Sequence, residues 1–233
     1  MSSPNTDDTV KFPIATAYIV VVTFVFHLLV QAGIISGQLL ALIPLRFQDM
    51  QLDYGSIIAF LFTLPNLATY ALVHSGWGHL LGNLAFLIVL GPSLERALGA
   101  RTYMAIYVFG SVVAGLFALA GDYVYSVGAD GTTTAVIIVG ASASISAVMG
   151  GVLLKTPMEI IGVLPFVNFV IRAWMAVVMF IAEQLVVINT AGMGNAPIGS
   201  ATLHLSGIGA GMFFIMIMPT ALSAYEKFKN SRS

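Results

Sequence analysis

The stretch HSGWGHLLGN, His74 to Asn83, packs two of the chain's four histidines, a tryptophan and an asparagine into ten residues at the mouth of a long apolar run. Polar side chains that enter a membrane helix are expensive, so they need partners or a function. Composition makes the run a membrane helix. Of 233 residues, 58% are hydrophobic and only 8% are charged, against about 25% charged in an ordinary soluble domain. The chain reads as an integral membrane protein, nearly all of it membrane domain. A net charge of −1 gives no electrostatic case for nucleic acid. The lack of cysteine excludes disulfides, a cysteine nucleophile and any Cys-bearing zinc site.

Outward from this stretch, hydropathy marks six spans near 14–35, 77–94, 103–120, 135–154, 169–188 and 200–219, each close to the ~20 residues that cross a bilayer. A seventh candidate, 55–73, is uncharged but is interrupted by Pro65-Asn66. With six spans and the N-terminus inside, Lys11, Arg96, Arg101, Lys155, Arg172, Lys227, Lys229 and Arg232 fall on the inner side and only Arg46 outside, as the positive-inside rule expects. Seven spans with the N-terminus outside balance equally well, with Lys11 and Arg46 exchanging sides. Both solutions put His74 at the outer surface. Pro65-Asn66 favours six, which makes 36–75 a long outer loop lying in the interface or dipping in and returning under cover of protein. The expected organisation is a cytoplasmic tail over 1–13, one membrane domain over 14–219 and a cytoplasmic tail over 220–233, in the cell membrane.

Chemistry-bearing residues within the spans are few. His79 and Asn83 open span two, Ser142, Ser144 and Ser146 lie in span four, and His204 opens span six. Those three spans all run from outside to inside. His79, Ser142 and His204 therefore sit at similar depth, roughly 3–11 Å below the outer surface at 1.5 Å per residue. His79 and Asn83, four apart, share a helix face. His204, Gly207 and Gly211 share another, the glycines forming a GxxxG pair that admits a close neighbour. Ser142, Ser146 and Gly150 make a matching stripe. If the stripes pack together, Ser142 and His204 come within reach, as a hydroxyl nucleophile and its base must. The β-branched run TTTAVIIVG (132–140) predicts an extended lead-in and a helix beginning near Ser142. A serine there would sit among free backbone N–H groups and positive dipole, which suit a developing oxyanion.

These residues resemble the rhomboid family of intramembrane serine proteases. Four pieces match in order over about 140 residues, the length of four to five spans: HSGWGHLLGN, then LGPSLERALGAR with Glu95-Arg96, then GASASISAVMG, then HLSGIGAG. The resemblance implies an all-α polytopic membrane protein, a six-transmembrane-helix bundle with a membrane-associated outer loop between helices 1 and 2. It implies Ser142 as nucleophile and His204 as general base, a dyad without aspartate. It implies an oxyanion site from His79, Asn83 and the Ser142 backbone N–H, and His74 on the site rim. Substrates would be transmembrane helices of other proteins in the lipid bilayer, and neither cofactor nor metal is required. The sequence departs from the family pattern at three places. Ala143 stands for the second glycine of GxSG, Leu203 for a small residue before the histidine, and Pro65-Asn66 near the place of a loop Trp-Arg pair.

Each piece also has a plainer reading. Small residues and serines are common packing residues in membrane helices, and Trp77 is most simply an interface anchor. Glu95 and Arg96 read as a loop ion pair that fixes the inner turn. Ser146, a turn deeper, is the backup nucleophile. His27 receives no role. A metalloprotease lacks its H-E-x-x-H, and an aspartyl protease lacks aspartates inside spans. Two other classes stay open: a catalytically weak or inactive rhomboid-like protein that binds transmembrane helices, and a small transporter, for which Glu183 in span five is the one mid-span charge.

Overall fold

Over 133–140 the β-branched run stays extended, and the helix after it starts at Ser142. The computed structural model describes residues 12–44, 61, 63–120, 125–127, 133–164, 169–190 and 196–230. Within these, the helices are α1 (Ile14–Gln31), α2 (Gly37–Leu40), α3 (Asn66–Thr69), α4 (Trp77–Leu98), α5 (Ala100–Ala120), α6 (Ser142–Lys155), α7 (Ala173–Thr190) and α8 (Ala196–Asn230). Two short antiparallel hairpins are added to the expected all-helical bundle: β1 (Tyr125–Val127) with β2 (Thr133–Ala135), and β3 (Ile160–Leu164) with β4 (Phe169–Arg172). Lys11, Arg46, Arg232 and residues 55–60 and 62 of the seventh candidate span lie outside the described residues.

Five of these helices, α1, α4, α5, α7 and the 199–218 part of α8, are long and apolar enough to cross a membrane. The expected fourth span is shorter than hydropathy suggested. Helix α6 has 14 residues, a rise of about 21 Å against ~30 Å of hydrocarbon. The remainder of that apolar stretch is the extended lead-in, where β-branched side chains favour strand. Ile138 exchanges backbone hydrogen bonds with Leu42, at 2.8 and 3.0 Å. Likewise the expected fifth span begins late, because Phe169–Arg172 pairs as β4 and the helix starts only at Ala173.

Helix α6 is the centre of the bundle, touching α4, α5, α7 and α8, and every residue from Ala143 to Val152 is buried. Lipid tails are as apolar as leucine, so helices associate in a bilayer through close packing. Small residues supply it here. A Cβ at Gly207 would lie 2.5 Å from Ala143 O and 2.9 Å from Ser146 Cβ; one at Gly211 would strike Ala147 O, and one at Gly150 would strike Ile208 O. The two small-residue stripes of α6 and α8 therefore pack against each other. On the opposite side, Gly110 of α5 leaves room for Ala147.

The loop between α1 and α4 is strapped to this core. Asn66 Nδ2 donates to Leu39 O and Ala41 O at 2.8 and 3.0 Å. The Tyr70 hydroxyl donates to Ser111 O on α5, and the Ser111 hydroxyl to Leu67 O, both at 3.0 Å. At the inner end the expected Glu95–Arg96 ion pair is absent among the described residues. Both residues lie in α4, and their side chains go to different partners. Buried Glu95 accepts from Ala15 N at 2.8 Å, Thr16 N at 2.7 Å and the Thr16 hydroxyl at 2.8 Å. It thus caps α1, which has no side-chain cap of its own. Arg96 pairs with Glu159 at 2.9 Å on the surface.

Glu95→Ala strands two backbone donors at the start of α1 and should cost about 1–3 kcal/mol. Arg96→Ala breaks an exposed pair and should cost less than about 1 kcal/mol. Thermal unfolding in detergent compares them, and equal losses would contradict the capping assignment.

Candidate functional site

Gly140 has φ +118°, a left-handed conformation that L side chains rarely adopt, and it turns the extended lead-in toward the helix. Its N–H is held by Tyr70 O at 3.0 Å, and the next N–H, of Ala141, donates to His74 Nε2 at 3.3 Å. The first intrahelical bond of α6 is Ile145 N–H to Ala141 O at 2.9 Å. The N–H groups of Ser142, Ala143 and Ser144 precede it, at the positive end of the helix. Ser142 is half-buried at this N-terminus.

His79 and Asn83 come to the same turn from α4. A Cβ at Gly140 would lie 2.5 Å from His79 Cε1, 2.6 Å from its Nε2 and 3.6 Å from Asn83 Nδ2. Asn83 is buried, and its Nδ2 has no hydrogen-bond partner among the described residues. An unpaired buried donor costs free energy, and this one is aimed two residues ahead of Ser142. The other nitrogen of His79, Nδ1, lies 3.1 Å from the Ser75 hydroxyl.

His204 stands one turn before Gly207 on α8, the residue seated on Ala143. Among the described residues, Ser142 and His204 share no hydrogen bond. His204 Nδ1 instead meets Gln184 Oε1 of α7 at 2.8 Å, and Phe180 of α7 lies against the imidazole with ring centroids 5.3 Å apart. The four elements around Gly140–Ser142 thus bring Ser142, His79, Asn83 and His204 to one end of the bundle.

His74, expected on the rim, is buried instead, 3% exposed. Its ring lies 5.0 Å from His79 and 6.4 Å from His27, edge to face. Burial above all, with the charges of His79 and His27 nearby, pushes the His74 imidazole down to about 3, so it accepts from Ala141 in its neutral form. His27 is fully buried and packs edge to face on Trp77 at 4.7 Å, so Trp77 is a lid on His27 as well as an exposed aromatic. Ser146 is fully buried against Gly207, which disfavours it as a backup nucleophile. Glu183 is exposed on the outside of α7 and is no part of a central transport site. Among the described residues, no three His, Asp or Glu side chains converge in a metal-binding arrangement. A cavity of about 590 Å³ between α5 and α8, lined by Phe109, Phe117 and Phe213 among others, contains none of the site residues.

Sequence reasoning missed Ser75, Gln184 and Phe180. Ser75 stands four residues before His79 and was visible in principle. Gln184 and Phe180 carried no signal, because only the packing of α7 on α8 reveals them.

A family model described as Rhomboid domain matches residues 62–220, which is more than half of the chain. No curated protein matches it. The chain belongs to the rhomboid family and is an integral membrane protein.

An unfolded histidine takes up its proton near pH 6.5, whereas folded His74 does so only near 3. Its contribution to stability is present above about pH 6.5 and is lost as pH falls through that interval, at up to about 1.4 kcal/mol per pH unit. Unfolding in detergent from pH 7 to pH 5 should show the decline, and His74→Gln should reduce its slope by one proton. An unchanged slope in that variant would mean that His74 is charged in the fold.

Proposed function

We propose that this rhomboid-family protein is an intramembrane serine endopeptidase that cleaves transmembrane segments near their outer ends, with Ser142 as nucleophile and His204 as general base. The observation that carries the reading is the Gly140 turn. It leads into the helix that starts at Ser142 and lies against His79 and a buried Asn83, whose amide donor has no partner among the described residues. Such a donor, fixed before any charge forms, is what transition-state stabilisation requires.

In this reading His204 Nε2 takes the proton from the Ser142 hydroxyl as Oγ bonds to the scissile carbonyl carbon. The carbonyl oxygen becomes the oxyanion, and the Ser142 N–H, the Asn83 amide and His79 Nε2–H donate to it. With the proton on His79 Nε2, its Nδ1 accepts from the Ser75 hydroxyl, 3.1 Å away. The imidazolium of His204 then protonates the departing amine as the C–N bond breaks. Water, deprotonated by the same imidazole, hydrolyses the ester on Ser142. Ser142 and His204 close to bonding distance when substrate arrives, since apo catalytic bonds are often long. His74 acts behind the site, holding Ala141 so that the next N–H faces the reacting carbonyl. The site opens to the outer face of the cell membrane, with both termini cytoplasmic.

The second reading, a non-catalytic member that binds transmembrane helices, draws on the missing Ser142–His204 bond and on buried Ala143 at the motif's second glycine.

The two readings separate in one experiment. The detergent-solubilised protein should react with a fluorophosphonate probe and cleave a single-span substrate, and Ser142→Ala should abolish both. Asn83→Ala should lower kcat on the order of 100-fold with KM little changed. Labelling that survives Ser142→Ala, or helix binding without turnover in the wild type, would reject the protease.

A further inference from the structure

The mechanism above uses one nitrogen of His204 and leaves the other to a residue that the dyad does not include. Helix α7 buries only Ala173, Val177 and Gln184 among its described side chains, so the amide is the one polar group it turns inward. A buried amide in a membrane helix is costly unless both of its ends are paired. Here both are. Gln184 Nε2 donates to Phe180 O, one turn back, at 3.4 Å, and Oε1 lies 2.8 Å from His204 Nδ1. A backbone carbonyl only accepts, so the bond to Phe180 O fixes which end of the amide faces the imidazole. The facing atom is the oxygen, an acceptor, and His204 Nδ1 must therefore carry a proton and donate it. A neutral imidazole protonated at Nδ1 has its lone pair on Nε2, at the opposite edge of the ring from α7. Phe180, packed against the same ring at a tilt of 47° with centroids 5.3 Å apart, restricts its movement.

We propose that Gln184 is a positioning residue of the catalytic unit: its side-chain oxygen fixes the tautomer and orientation of His204, extending the pair to a Ser142–His204–Gln184 relay assembled from three helices. The proposal rests on the protease reading of Ser142 and His204. During acylation the proton leaving Ser142 Oγ arrives on His204 Nε2, while Nδ1–H stays on Gln184 throughout, so Gln184 neither gains nor loses a proton. A neutral amide orients the imidazolium but does not neutralise it, as a buried carboxylate in the same place would. The neighbouring carboxylate, Glu183, is on the exposed side of α7, so the helix presents the amide alone.

The charged and titratable groups around His204 are few. Among the described residues, His79 of α4 is the titratable group that acts on it. Helix α6 brings serine hydroxyls, α7 brings Gln184 with Glu183 turned away, and on α5 Tyr103 lies by Thr16 and Tyr107 by Ser144 and Thr23. The pH profile of kcat therefore reports His204 together with His79, and the difference between variants at position 184 isolates the effect on His204.

The test uses the full chain in detergent, with kcat, KM and the kcat–pH profile on a single-span substrate for wild type, Gln184→Leu and Gln184→Glu. Gln184→Leu keeps the bulk and removes the acceptor. It should lower kcat about 10–100-fold, the usual loss when a histidine's orienting partner is removed, with KM within about twofold. Gln184→Glu should restore most of kcat and move the acid limb upward by about one pH unit, because a carboxylate favours the imidazolium. Wild-type kcat and profile in Gln184→Leu would overturn the proposal and leave the protease reading standing. Equal losses in both variants with a lowered unfolding temperature would reduce Gln184 to a packing residue and overturn it too. A wild type that neither labels nor cleaves would fail the protease reading first.

Discussion

The bundle depends on one contact: the backbone of α6 lying directly on the backbone of α8. Gly207, Gly211 and Gly150 occupy points where a Cβ would collide with Ala143 O, Ala147 O or Ile208 O. Inside a bilayer there is no hydrophobic gain from bringing two apolar helices together, so this proximity must come from shape. Once it exists, the N-terminus of α6 and the first turns of α8 have fixed relative positions. Ser142 and His204 inherit their neighbourhood from glycines one to three turns away. The glycines thus hold the geometry, and the polar residues use it.

The second constraint is the supply of hydrogen bonds at the N-terminal end of α6. Non-helical backbone at membrane depth is tolerated only where protein satisfies it. Three residues of the lead-in to Ser142 meet that condition: Ile138 through Leu42, Gly140 through Tyr70 O, and Ala141 through His74. These partners come from the loop between α1 and α4 and from its end. That loop is anchored in turn by Asn66, on Leu39 O and Ala41 O, and by the Tyr70–Ser111 exchange with α5. In the sequence Asn66 stood out as half of a pair that interrupts the seventh candidate span and lies near the place of a family Trp-Arg pair. In the structure it clamps the loop.

Much of this was legible in the sequence. The spacing of His79, Asn83, Ser142 and His204 is written in short motifs whose residues lie within one or two helix turns, and period-four faces are a property of any helix. The start of α6 at Ser142 followed from β-branched residues and a glycine, both local signals. What stayed hidden depends on partners distant in the chain. Glu95 caps α1 across 80 residues and Arg96 reaches Glu159 across 63, so an adjacent Glu-Arg pair looked self-sufficient when it was not. Hydropathy overran α6 because it scores apolar strand and apolar helix alike. Gln184 was one unremarked amide beside a conspicuous Glu183. Helical phase made the difference, placing the charge outside and the amide on His204.

The shortness of α6 connects the two constraints. A helix that spanned the full bilayer would carry its own N-terminal donors to the outer surface, where water would meet them. Fourteen residues end it earlier, so the positive end and the free N–H groups of Ser142, Ala143 and Ser144 are held among protein groups. In that poorly solvating environment a fixed donor acts on a nearby charge far more strongly than in water. Such a terminus is unstable unless the chain leading to it is paired, and the outer loop supplies that pairing. Loop, strand-like lead-in and truncated helix therefore form one device, and altering any one of them changes the field at Ser142 before it changes any contact to Ser142 itself.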